Sequence, residues 1–225
     1  MAVNAHRIVK GLSWGCALLL GAGLLSGCAA PQYTYVTDSS DLTYFKVPHD
    51  WSKLTPAALC TAVEQYYTAD TCPTRWTTAY YGGQDPSASD FSGLNLSQPF
   101  VYAGVAPNAE ASESDAPLTD QELEDEFMPV SASTRATAAK NGYALTDFRQ
   151  LASSTVKISG GFWGVHEVFD YSVPSGATDT FNEVVLTNSA STQVYLLILH
   201  CTSSCYQQNQ TAIDAVMSSF TVRSH

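Results

Sequence analysis

Val194-Tyr195-Leu196-Leu197-Ile198-Leu199 is apolar at every position. A strand that met water on one face would alternate, so this run predicts a central strand covered on both faces. It lies within Gln193–Cys201, and ahead of it Tyr143–Phe148, Ser153–Ile158, Phe162–Val173 and Phe181–Thr187 are likewise rich in β-branched and aromatic residues. Gly160-Gly161, Ser175-Gly176 and Asn188-Ser189 punctuate them, which predicts an antiparallel meander. Ile213, Val216, Met217 and Phe220 then fall at i, i+3, i+4 and i+7, the stripe of a helix that lies on such a sheet. Helices are expected on both sides of it.

Upstream the signals come from caps and turns. Leu42–Pro48 predicts a short strand closed by proline, with His49-Asp50-Trp51 turning out of it. Thr55 offers an N-cap with Pro56 at N1, and Leu59, Val63 and Tyr66 continue a helix to about Tyr67. Residues 68 to 98 read as loop with room for short strands, and Phe100–Val105 as a strand. An acidic insertion follows at about 106–129. Inside it Thr119 and Glu122 form a capping box, with Leu118 and Leu123 as the staple. The predicted helix runs from Asp120 to about Phe127, burying Leu123 and Phe127 and exposing Glu124, Asp125 and Glu126. Ser131–Lys140 predicts a second helix ended by Asn141-Gly142. No repeat is apparent, so solenoids are set aside.

The N-terminus has another logic. His6, Arg7 and Lys10 precede the uncharged run Leu12–Leu25, the layout of a secretory signal. Leu25-Ser26-Gly27-Cys28 closes it and resembles the lipobox of bacterial lipoproteins. That resemblance implies cleavage after residue 27 and a diacylglyceryl group on Cys28, an anchor and not a catalyst. An uncleaved transmembrane helix is the competing reading, because residues 11 to 30 carry no charge; Gly11, Gly15, Gly21, Gly23 and Gly27 weigh against it. Residues 28–41 read as a flexible tether and 42–225 as a single domain.

Loss of residues 1–27 removes Arg7 and Lys10, so the formal charge moves from −11 to −13. Nucleic acid is excluded as a partner, since phosphate contacts need clustered Lys and Arg. Export also places Cys60, Cys72, Cys201 and Cys205 in an oxidising compartment, which predicts two disulfides. Of three connectivities, proximity in sequence favours Cys60–Cys72 and Cys201–Cys205; neither spacing suits zinc.

The apolar strand ending in Cys201, then Tyr206, Ile213-Asp214-Ala215-Val216 and Ser219-Phe220-Thr221-Val222, resembles the end of PsbP-like domains, including LpqN-type lipoproteins. Val47-Pro48 and Trp51 match the opening of the same superfamily. The resemblance covers roughly residues 43–54 and 193–223. It implies an α+β fold, an antiparallel sheet sandwiched between helices. It also implies a non-catalytic binding or assembly module, with no catalytic residues to carry over.

Motifs for chemistry are missing: there is no Gly-x-Ser-x-Gly elbow, His-Glu-x-x-His or phosphate loop. No cofactor or metal is expected, His49, His166 and His200 being too scattered to make a ligand set. Alternation along Phe162–Val173 puts Glu167 on one face with Trp163, Val165, Phe169 and Tyr171, and His166 with Asp170 on the other. A carboxylate on an apolar face needs a partner. Either a strand bulge, an edge position or pairing with Arg149, Lys157 or Arg75 accounts for it, or Glu167 is a pocket acid. Glu167, His166 and Trp76 are therefore the candidate ligand contacts. The expected partners are the membrane, through the lipid anchor, and a cell-envelope protein or small ligand. The alternative is an envelope hydrolase or carrier with a pocket around Glu167 and His166.

Overall fold

In the computed structural model the described residues are 31–55, 57–59, 76–87, 93–108, 116–143 and 145–224. They belong to one compact unit, Pro31–His225. Its spine is the run that is apolar throughout. β9 (Gln193–Thr202) lies fourth in a seven-stranded antiparallel sheet of order β3-β4-β5-β9-β8-β7-β6, and Leu197, Ile198 and Leu199 are all but inaccessible. β3 (Ser52–Lys53), β4 (Thr77–Tyr81) and β5 (Phe100–Pro107) lie on one side of it. β8 (Thr178–Thr187), β7 (Phe162–Ser172) and β6 (Thr146–Ile158) form the expected meander on the other.

Two predicted strands, Tyr143–Phe148 and Ser153–Ile158, prove to be parts of one. β6 runs unbroken for 13 residues, with register shifts against β7 between Thr146 and Arg149 and between Gln150 and Ala152. Each inserts an extra residue, which breaks the period of two that would have identified one strand from the sequence. Asp147, at φ 50°, sits at the first.

The tether also needs correction. Tyr33–Asp38 is a strand, β1, paired antiparallel with β2 (Thr43–Pro48), which in turn pairs with β10 (Thr221–Val222) in a three-stranded sheet. Its packing is slight, with Val36 its one buried apolar side chain. Alternation was therefore too weak to mark it. Pairing with β2, which buries Thr43, Phe45 and Val47, holds it in place.

One face of the large sheet packs on this small sheet and on the C-terminal helix. Val101, Ala103, Leu186, Leu197 and Leu199 meet Phe45, Val47, Ile213, Val216 and Met217 there. That helix spans Ser203–Met217, starts at the N-cap Thr202, and is tied to β9 by the Cys201–Cys205 disulfide. Cys28, Cys60 and Cys72 lie outside the described residues. So does most of the helix begun at Thr55, whose Oγ1 accepts from the Ala58 N–H.

The opposite face is covered by the β5–β6 connection. α1 (Asp120–Glu124) begins with the expected capping box: Thr119 Oγ1 accepts from the Glu122 N–H, and Glu122 Oε2 accepts from the Thr119 N–H at 2.7 Å. α1 ends three residues short of Phe127, which is 40% exposed instead of buried and lies against Tyr102. The Asp125 carboxylate accounts for the early end, because it accepts from the Val130 and Ser131 N–H groups and folds the chain back. α2 (Ala132–Lys140) has Ser131 as its N-cap and buries no residue. Helices thus do lie on both sides, but on this one the sheet is sealed by Leu123, Met128 and Val130. With the helix Ser203–Met217 as α3, the fold is α+β with antiparallel sheets and few helices. Among the described residues no helix is long and apolar enough to cross a membrane.

Candidate functional site

Under α1, Glu167 of β7 lies directly opposite Glu183 of β8, and neither side chain reaches solvent. Strand alternation puts them among Val165, Phe169, Tyr171, Phe181, Val185, Leu196 and Ile198. Residues opposed in this way hold their Cβ atoms within about 5 Å of each other. Gln150 of β6 donates its Nε2 hydrogen to Glu167 Oε2 at 2.7 Å. Glu167 Oε1 and both oxygens of Glu183 have no hydrogen-bond partner.

Burial, reinforced by the charges of Glu167, Asp125, Glu124 and Glu126, pushes the Glu183 carboxyl well above the ordinary carboxylate range. Glu124 is raised too, by partial burial and then by Glu167, Asp125 and Asp120. Asp125 goes the other way. Burial would raise it, but hydrogen bonds from Ser131, Thr134 and Val130 hold it below its usual value. Above the couple, Tyr171 donates its hydroxyl hydrogen to the Pro129 carbonyl, and burial pushes that phenol up to about 12.

The group hydrogen-bonded to Glu167 is Gln150, and neither Arg149 nor Lys157. Arg149 goes to the other face, where its Nη2 sits 2.5 Å from Asp170 Oδ2, while Thr180 donates to Asp170 Oδ1. Lys157 lines an open cleft of about 630 Å³ with Asp120, Thr155, Ile158, Phe162 and Trp163. Arg75 lies outside the described residues. A neutral amide thus meets one oxygen of Glu167, and the charge of Glu167 adds to the burial that raises Glu183.

His166 and Glu167 do not share a site. His166 faces α3, with its Nε2 2.8 Å from Asn182 Oδ1, and Asn182 Nδ2 donates to the Tyr206 hydroxyl at 2.7 Å. These groups knit sheet to helix. Trp76 also lies on that side, partly buried against the same core as Tyr80. The pocket expected around Glu167 and His166 is therefore contradicted by the pleat itself: neighbours in a strand point to opposite faces. His49 contacts Thr34 Oγ1 at 3.1 Å by the small sheet. His200 stacks between Phe181, at 5.2 Å, and Phe100, and burial pushes its imidazole down to about 4. Among the described residues no group of His, Cys, Asp and Glu could hold a metal ion.

Glu183 escaped the sequence reading although the signal was there. Phe181, Glu183 and Val185 alternate as Phe169, Glu167 and Val165 do. Only the register of β7 against β8 places the two carboxyls opposite one another.

This α+β architecture of antiparallel sheets and few helices matches that of a PsbP-like neighbour. The solution structure of PsbP (CyanoP) from Synechocystis sp. PCC 6803 is similar over 90% of this chain and 99% of its own, with a TM-score of 0.51 and 13% sequence identity. At that identity the likeness extends to the fold alone. Looser likenesses are to LpqN of Mycobacterium tuberculosis, titled as involved in cell envelope biogenesis (TM-score 0.43, 15% identity, 86% of this chain and 91% of that one). Another is to the Ran-binding protein Mog1p of Saccharomyces cerevisiae (TM-score 0.44, 9% identity, 84% and 95%). No family model matches the sequence, and no curated protein matches it either.

Proposed function

We propose that this chain is a lipid-anchored extracytoplasmic protein that acts at the cell envelope by binding a protein partner, without catalysis. The observation that carries the binding reading is the outer edge of β6. One margin of the large sheet is blunted by the two-residue β3, whereas the other ends in 13 residues of β6, ten of them exposed. A free edge offers a row of N–H and C=O groups to an incoming strand. The straight segment Ala152–Ile158 pairs with β7 without a shift and carries Lys157 as its one charge. Lys157 opposes pairing with a like edge in register and favours an extended partner segment bearing an acidic residue.

Location rests on Leu25-Ser26-Gly27-Cys28 and on the Cys201–Cys205 disulfide, a bond that persists in oxidising compartments. Against catalysis stands the use of each ionisable candidate. His166 and Asp170 are hydrogen-bonded within the domain, and Glu167, Glu183 and His200 are sealed from solvent.

Two experiments test this. Cys28→Ser is expected to abolish labelling of the full chain by a fatty acid fed to the expressing cells; unchanged labelling in the variant, or none in the native chain, overturns the anchor. A photo-crosslinking residue at Ser154 of β6 should yield a discrete protein adduct in the native envelope, while one at Ser204, exposed on α3, should not. Equal capture at both positions, or none at Ser154, overturns the edge as the binding surface.

A further inference from the structure

The two buried carboxyls lie beneath the segment that joins β5 to β6. Residues 118–142 form a flap that begins where the Leu118 N–H donates to Ser191 Oγ and ends with α2, which buries nothing. It is held on the sheet by Leu123, Met128 and Val130, by the Tyr171 bond to the Pro129 carbonyl, and by Phe127 on Tyr102 and Arg135 on the Phe148 ring. α1 packs across β7 and β8, over the couple itself.

We propose that Glu183, set against Glu167, is a proton-held latch: protonated it lets the flap lie closed, and ionised it drives the flap off and uncovers the aromatic cluster of Phe169, Tyr171 and Phe181. This stands apart from the binding reading above. The geometry is the argument. Two carboxyls opposed across a ladder, wholly buried, with three of four oxygens unpaired, cannot both carry charge there.

The groups facing them offer little relief. β6 supplies Gln150, a neutral donor; α1 and its end supply Glu124, Asp125 and Glu126, all acidic. On β9, Ile198 lies opposite Glu183, and the nearby His200 is neutral through burial. Asp179 of β8 accepts from the Asn95 N–H and is raised by burial. Arg135 of α2 is spent on the Phe148 ring and the Val130 carbonyl. Each negative charge gained beneath the flap therefore repels α1.

The sign follows from linkage. The raised carboxyl of Glu183 keeps a proton when closed that it releases near its ordinary 4.5 when open to water. The closed state is fully favoured below that value and loses ground as pH rises, about tenfold in the closing equilibrium per pH unit for one proton, until the folded value is passed. Glu124 acts in the same sense. Asp125, held low, opposes it only in stronger acid, where its bonds to Val130 and Ser131 are lost below its ordinary 3.8. Closure is thus tightest in weak acid.

Hydrogen exchange on the full chain in detergent, corrected for intrinsic rates from about pH 5 to about pH 8, reads this directly. Protection of the amides in Leu123–Val130 should fall by about tenfold per pH unit over part of that range, while β9 stays protected. Glu183→Gln should flatten the profile and keep the flap protected at the alkaline end. Glu167→Gln serves as a second variant: it keeps the Glu183 proton but removes a charge that raises it, so the fall should keep its slope and end at a lower pH. A flat profile in the native chain overturns the latch, and so does an unchanged slope in folded Glu183→Gln or an unchanged end point of the fall in folded Glu167→Gln.

Discussion

Gly164→Ala is expected to cost the domain roughly 3 kcal/mol or more, the upper end for overpacking, because the clash is with backbone. Gly164 lies in β7 opposite Leu186, and a Cβ placed on it would stand 1.9 Å from the Val185 carbonyl oxygen and 2.8 Å from Leu186 Cα. Two strands approach too closely there for any side chain. Relief would require β7 and β8 to part in the middle of the sheet, disturbing the Glu167–Glu183 register three residues away. Equilibrium urea unfolding with the disulfide intact measures the effect. A change within about 0.5 kcal/mol, the range of an ordinary surface substitution, would show that the strands slide apart without penalty.

Phe169→Ala should lose about 3–5 kcal/mol by the same measurement, the usual range for a fully buried phenylalanine. Phe169 has no accessible surface; it stacks on Phe181 at 5.4 Å and meets Phe148 at 5.7 Å and Tyr171 at 5.9 Å. The substitution removes the centre of the cluster on which the flap rests. It should therefore weaken protection of Leu123–Val130 at every pH, unlike a change at Glu183, which acts through the slope. Tyr35→Ala is the contrast. Its ring is 76% exposed on β1, and a change within about 0.5 kcal/mol is expected.

Elements that satisfy their own local requirements were readable in advance. Thr119 and Glu122 cap each other across three residues, and Ile213, Val216 and Met217 share one side of α3 wherever it packs. Val194 to Leu199 carry too much apolar surface to lie anywhere but the centre. Elements that depend on a distant partner were not. β1 has one buried apolar side chain and owes its existence to β2, and β6 hides its continuity behind two bulges. Phe127 lost its expected burial because Asp125 turns the chain before the helix can carry it inward.

The same division runs through the site. By itself the sequence determined the apolar centre of an α+β sheet, the capping box of α1 and the end of α2, and the presence of a glutamate on an apolar face of β7. Periodicity and capping are short-range physics, written within a few residues. Only the tertiary structure decided which charge that glutamate would meet. Register across β7 and β8 set Glu183 opposite Glu167, the pleat sent His166 and Arg149 to the far face, and α1 closed over the couple. Burial and the spacing of charges from different strands are properties of the assembled layers, and a carboxyl is charged or neutral according to those surroundings and not to its neighbours in the chain.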